Sequence, residues 1–414
     1  MEGKLIRRLK IQWIAVVAAL AVHVSPVCAG INVMQKGDSY LDMGMLLDIQ
    51  ARQVWNQQPN SSIDEGVFFR RLRPFLYGAL NKDWQGIIQM DFGNGFEGQD
   101  AKTSIKWAYM EYLGIESNQQ TSLKIGAFKP PFSREFLTLG PRLQQIERTA
   151  VGMNWFGTPD YMIGVGITRM TPDRKMAYAL AGGSMTINPR SDRIFFQTPL
   201  NNTSSANNDG WMAAGRLDWY PWGEMPFSPK PLASENAYNR GDWHTQDWRL
   251  MLSGAAYGWW NNNQNNVSNN TGNPNGASNL STNQDVRSTY GFEASGGLRG
   301  FGFSGDLEYQ YVHGKLLNQN FTGGLYDTGT SGLHKFTVNG GYMLYKNQWE
   351  PTATFSVLDA SNFASLWTQT TLGLNWFIHH YDIRVTANYS FNSNVGGITG
   401  AWENVARIQT QFAW

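Results

Sequence analysis

Hydrophobic and polar residues alternate with a period of two along much of the chain, the spacing that puts successive side chains on opposite faces of a β-strand. The final segment keeps this pattern to its last residue: Ala406, Ile408, Thr410, Phe412 and Trp414 share one face, and Arg407, Gln409 and Gln411 the other. Tyr381, Ile383, Val385, Ala387, Tyr389 and Phe391 alternate in the same way with Asp382, Arg384, Thr386, Asn388, Ser390 and Asn392. Earlier, Leu41, Met43, Met45, Leu47 and Ile49 oppose Asp42, Asp48, Gln50 and Arg52, with Leu46 the one apolar intruder.

Alternating segments of this kind, bounded by Gly, Asn, Pro or Asp turns, number about sixteen. They start near Tyr40, Val67, Trp84, Ser104, Thr121, Tyr161, Met176, Trp211, Gln246, Arg287, Gly300, His334, Gln348, Leu366, His380 and Trp402. A soluble sandwich would also alternate. Here the polar face carries ionisable groups and the apolar face ends in aromatics, as expected where a barrel wall meets the membrane interfaces. The pattern predicts an all-β fold, a transmembrane antiparallel β-barrel of about sixteen strands.

A mean hydropathy of −0.39 looks soluble, and no apolar run past the N-terminus approaches the roughly 20 residues of a membrane helix. A barrel wall needs apolar residues only at alternate positions, so the average conceals its lipid-facing band. The N-terminus differs. Lys4, Arg7, Arg8 and Lys10 precede an apolar run from Ile11 to Val24, and Val27-Cys28-Ala29 has the form of a signal-peptidase site. Residues 1–29 are expected to be an export signal and residues 30–414 the barrel domain. Acylation at Cys28 is the competing reading, disfavoured by the bulk of Val27 before it.

Cleavage after Ala29 removes the single cysteine, which excludes disulfides, a thiol nucleophile and thiolate metal sites. It also changes 33 basic and 32 acidic residues to 29 and 31, so the net charge goes from +1 to −2. A nucleic-acid-binding surface loses its usual electrostatic footprint, and any anion preference must come from where charges sit. The stretch from Asn261 to Gln284 holds eleven asparagines and no charge, and reads as a mobile external loop. Asn201 to Gly210 reads the same way, whereas Pro221 to Arg240, with Trp222 and Phe227, is expected to be an ordered loop.

Several segments resemble, in order, the phosphate-selective porin O and P family. They are FFRRLRPFLYG (68–78), DWQGIIQMDF (83–92), IKWAYMEY (105–112), LKIGAFKPPFS (123–133), IER (146–148) and MIGVGI (162–167). Later WEPTATFSVLD (349–359), TLGLNWF (371–377) and IRVTANYSF (383–391) continue the likeness. The resemblance implies a sixteen-stranded porin of the Gram-negative outer membrane, trimeric, with loops folded into its lumen and passive diffusion of small hydrophilic solutes as its activity. Two departures weaken the expectation of phosphate as the solute. Asp160, Tyr161 and Met162 stand where the family commonly has an arginine, and Thr354 stands where it often has another.

Strand parity puts Arg71 and Arg73 in the lumen, with Arg70 facing outward. A charge facing lipid at mid-bilayer costs about 2–4 kcal/mol, so the pair belongs inside. Arg216, Arg249, Arg384 and Arg407 are expected to line the lumen by the same parity, joined by Lys129. Inward carboxylates are Asp42, Asp48, Asp91, Glu111, Asp218, Glu293, Asp306, Glu308 and Asp382, a mixture suited to a transverse field across a pore. Pro130 to Asp160 is too long for a turn and holds Arg134, Arg142, Glu147 and Arg148 among apolar residues, as an inward-folded constriction loop would.

Guanidinium groups would replace part of a solute's hydration while leaving it free to depart, without a cofactor. An outer-membrane hydrolase is the enzyme alternative, but His244, His313, His334, His379 and His380 have no partner identifiable from sequence. The paired histidines lack metal-ligand spacing, so no metal is expected. A sugar- or amide-conducting porin and a purely structural barrel are the other readings.

Overall fold

The computed structural model describes residues 30–56, 65–93, 103–116, 119–190, 192–198, 209–225, 240–261 and 286–414. The export signal with Cys28, most of the asparagine-rich stretch, residues 201–208 and the middle of the 221–240 segment lie outside the described residues.

One antiparallel sheet contains every strand. Its first half comprises β1 (Ile31–Lys36), β2 (Ser39–Asn56), β3 (Gly66–Ala79), β4 (Trp84–Asp91), β5 (Ser104–Tyr112), β6 (Thr121–Phe128), β7 (Met162–Met170), β8 (Met176–Arg190) and β9 (Arg193–Gln197). The second comprises β10 (Asp209–Trp219), β11 (Arg249–Trp260), β12 (Val286–Gly300), β13 (Phe303–Leu316), β14 (Thr330–Tyr342), β15 (Trp349–Ala360), β16 (Trp367–His379), β17 (Ile383–Ser393) and β18 (Trp402–Ala413). Sixteen of them form a closed wall, because β8 pairs directly with β10 and β18 returns to β2. The remaining two are accessory: β1 forms a hairpin with the start of β2, and β9 folds back on the end of β8.

All sixteen wall strands begin within four residues of the positions expected from alternation. The closing seam shows why pairing is complete. Met45 N–H donates to the Trp414 carbonyl at 2.9 Å and Trp414 N–H to the Met45 carbonyl at 3.1 Å, which closes the sixteen-stranded wall on itself at this seam.

Short turns at 80–83, 301–302 and 380–382 mark one end of the barrel, and long connections mark the other. That asymmetry is the one expected of periplasmic turns and external loops. Exposed Trp219, Trp248, Phe303, Tyr342 and Trp349 ring the short-turn end, and Trp55, Trp211, Trp260 and Trp402 the loop end. These are the two interfacial girdles, where a ring's apolar body meets lipid and its polar tip meets water. One connection breaks the asymmetry: the long segment between β10 and β11 leaves from the short-turn end. There Trp243 packs on Phe377, His380 and Tyr381, and Gly241 N–H donates to the Tyr381 hydroxyl.

Candidate functional site

The segment between β6 and β7 is bound to the inward, polar faces of distant strands. Its backbone makes one helical turn, Arg134–Leu137, capped by the Ser133 hydroxyl accepting from Phe136 N–H at 3.1 Å. N–H groups at the start of a helical turn have no partner within it and carry partial positive charge, so carboxylates satisfy them well. Ser133 N–H and Arg134 N–H donate to Glu293 of β12 at 2.7 and 3.2 Å, and Glu135 N–H to Glu308 of β13 at 2.8 Å. The Arg134 guanidinium reaches Asp306 at 2.6 Å, which Arg299 also holds at 2.8 Å. Gly297 leaves space for this, since a Cβ there would collide with Arg134 Nη2.

The chain then runs along the wall. Gln144 donates to Ser304 and Glu350 at 2.7 and 2.6 Å and accepts from Asn339 at 2.6 Å; Gln145 donates to Thr352 and Thr354 at 3.1 and 3.0 Å. Gly341 is the second close approach, its Cβ position only 2.5 Å from Gln144 Nε2. Arg384 donates to the Leu143 carbonyl at 2.6 Å, and Lys335 to Thr158 at 2.7 Å. The segment's apolar side is covered as well. Phe132 meets Tyr257 edge-on at 4.7 Å, and β9 supports the returning chain through Gly157 N–H to Ile194 carbonyl and Phe196 N–H to Asn154 carbonyl, both 2.9 Å.

The opposite wall is built differently. Arg71 pairs with Asp48 at 2.6 Å and both are buried, while Arg73 pairs with Asp91 at 2.7 Å and keeps 15% of its side chain exposed. Arg70 corrects the sequence expectation, because it points inward rather than to lipid. In the β2–β3 register Asp48 faces Arg71 but Ile49 faces Phe69, so Arg70 is the extra residue of a β-bulge, which re-aims its side chain. It grips Glu147 through both oxygens, at 2.5 and 2.8 Å. A second register shift, between β4 and β5, leaves Lys106 as the extra residue, with its ammonium 5.9 Å from the Tyr161 ring.

Burial would raise the Glu147 carboxyl, but Arg70 first, then Arg71 and Arg407, outweigh it and hold it well below the ordinary carboxylate range. Burial pushes Arg148 down to about 10, with Arg71 adding repulsion. Its guanidinium donates to the carbonyls of Glu135, Phe136 and Thr138 and so braces the helical turn.

The other expected residues scatter over distinct environments. Arg216 is buried between Asp218 and Glu293 at 2.7 and 2.9 Å. Lys129 donates to the Phe136 carbonyl at 2.8 Å, and Arg407 to Ser390 at 3.3 Å. Arg142 lies 3.7 Å from Asp382 near the short-turn end. Arg249 is a correction: as the first residue of its strand it sits at the rim, bonded to the Trp222 carbonyl and Asp247, not along the lumen wall. Of the expected inward carboxylates, Glu293, Asp306 and Glu308 are engaged by Arg134, Arg216, Arg299 and backbone N–H groups. Strand parity would have found Arg299 and Lys335. Nothing in the alternation flags Lys106, Gln144 or Gln145.

Residues 44–222 match the model of the family described as phosphate-selective porin O and P. Over that stretch, rather less than half of its length, the chain is similar to the family. The segment includes the β3 arginines, the lumen-facing segment and the strand that follows it, while the later motifs fall beyond it. No curated protein matches this chain significantly. Among solved structures it is similar to a trimer form of OmpT, an outer membrane protein of Vibrio cholerae, at 12% identity and a TM-score of 0.54 over 91% of this chain and 99% of that one. It is also similar to an anion-selective porin from Comamonas acidovorans, at 10% identity and a TM-score of 0.52 over 91% and 100% of the two chains. A third is the outer membrane channel DcaP of Acinetobacter baumannii, at 9% identity and a TM-score of 0.50 over 94% and 100%. At these identities the likeness is one of fold.

Proposed function

We propose that this porin conducts small hydrophilic solutes passively across the Gram-negative outer membrane, favouring anions where the 129–161 segment narrows its lumen. One contrast carries the reading. Cations that hold the segment to β12–β15 are sealed, with Arg134 and Lys335 fully buried, whereas Arg70 and Arg73 on β3 keep 14% and 15% of their side chains exposed. Arg148 and Lys106 are also part-exposed, against Asp91, Glu147 and Asp160. Partly hydrated guanidinium groups at a constriction lower the cost of stripping water from an anion without trapping it.

In this reading Arg70, Arg73, Arg142 and Arg148 border the passage. Arg71, Arg134, Arg216, Arg384, Arg407 and Lys129 act from behind, by shaping the wall and its field. Phosphate is not singled out: Thr354 is committed to Asn339 at 2.6 Å and to Gln145, so that position anchors the segment and supplies no cation. A neutral-solute channel is the second reading, favoured by the carboxylate already paired with each of Arg70 and Arg73. A homotrimer is proposed from the family resemblance, and no enzymatic step enters the account.

Liposome swelling separates the two readings. Purified protein should admit small monocarboxylates and phosphate faster than sugars or amides of equal size. Equal rates for charged and neutral solutes would favour the second reading, and no swelling with any solute would overturn the channel.

A further inference from the structure

Cationic groups crowd the inner wall where β18 meets β2 and β3. Arg407 and Arg52 lie directly opposite each other in the β18–β2 register, an arrangement of like charges that is unfavourable without an anion. Arg70 and Arg71 follow on β3; Asp48 pairs with Arg71 at 2.6 Å and Glu403 attracts Arg52 and Arg407, while the lumen segment adds Glu147. Arg70 holds it in a two-bond fork, Arg71 Nη2 lies 3.9 Å from Oε2, Gln50 Nε2 donates to Oε1 at 3.4 Å, and Arg407 attracts it electrostatically.

A separate feature points to the same place. Gln409 faces Gln50 across the seam and is 1% exposed, yet neither its amide nitrogen nor its amide oxygen has a hydrogen-bond partner. Buried amides are nearly always satisfied, and one left open across the strand pair from Gln50, which itself reaches Glu147, is a position for water or for a polar ligand.

We propose that this cluster is a carboxylate-binding subsite of the channel, and that Glu147 occupies it as a tethered stand-in for the solute. The inference rests on the channel reading and adds a solute class to it. The resident ligand is a planar, two-oxygen acceptor held by a planar fork, and Gln50 adds an amide donor to it, with Gln409 opposite Gln50 on β18. A solute carboxylate exchanges with Glu147 at the Arg70 fork, so the guanidinium is never left unpaired while the solute passes. A ligand tethered by a short chain segment competes at an effective concentration on the order of millimolar or above, which keeps solute binding weak and release fast.

The test is block of the chloride current in planar bilayers by succinate, inorganic phosphate and neutral succinamide, on wild-type protein and the Glu147→Gln variant. Glutamine keeps the size of the side chain and removes the competing charge. The proposal predicts that half-block by succinate occurs at a concentration at least about tenfold lower in the variant, the scale of one charge-assisted hydrogen bond. Phosphate should gain less, and succinamide nothing. Adding Arg70→Ala should abolish the succinate gain.

Unchanged succinate block, or an equal gain for phosphate, would overturn the proposal while leaving the channel intact. Should Glu147→Gln not assemble, Glu147→Asp retracts the carboxylate by one methylene, and an intermediate gain is expected; no gain overturns the proposal equally. A wild-type protein that conducts nothing in KCl alone would instead overturn the channel reading on which the subsite rests.

Discussion

The two sides of the lumen use the same residue types to opposite ends. On β12–β15 every described carboxylate and cation of the inner face is engaged with the 129–161 segment or with a wall neighbour, and the pairs are sealed from water. On β3 the Arg71–Asp48 pair is sealed as well, but the pairs made by Arg70 and Arg73 remain partly wet. Buried ionic groups are costly to leave unpaired, whereas part-exposed ones contribute little to stability and remain available to a solute. One wall therefore holds the segment in place, and the other presents charge to the passage.

Variants break this contrast in proportion to burial. Asp306→Ala leaves Arg134 and Arg299 without their shared carboxylate, so a loss of about 3–5 kcal/mol is expected. It should appear as a lower temperature for loss of the folded, heat-modifiable gel band and as a larger, noisier single-channel conductance as the segment loosens. Phe132→Ala removes a fully buried ring from the Tyr257 contact and should cost about 3 kcal/mol, with a similar but smaller rise in conductance.

Arg70→Ala combined with Arg73→Ala leaves Glu147 and Asp91, both largely buried, without their nearest cations, so the melting temperature should fall, though by less than in Asp306→Ala because these pairs keep some contact with water. It should nevertheless slow liposome swelling in anionic solutes and leave neutral ones unaffected. Arg249→Ala, at the rim, should stay within about 0.5 kcal/mol of wild type and change neither conductance nor solute preference. A selectivity change there would move the constriction towards the short-turn end.

The sequence made the barrel legible because period-two alternation is a direct record of which face meets lipid. The last strand, from Trp402 to Trp414, needed no further information. The site was less legible because its key placements break that period. Arg70 and Lys106 turn inward only because a bulge inserts each as an extra residue, and no side-chain pattern records where a register slips. Arg249 kept the right parity but sat at the end of its strand, where facing inward no longer means lining the lumen.

Long-range partners were equally hidden. Glu293, Asp306 and Glu308 look like pore charges until Ser133, Arg134 and Glu135 arrive from another part of the chain to consume them. Gly297 and Gly341 are the clearances into which Arg134 and Gln144 fit.

The central claim is that β3, with the segment facing it, presents net positive charge to the passage. The reversal potential in a steep KCl gradient, compared between wild type and the Arg70→Ala, Arg73→Ala double variant, tests it most directly. An anion-selective sign in the wild type that shifts towards the cation side in the variant is the predicted result. A cation-selective wild type, or a variant with an unchanged reversal potential, would contradict it.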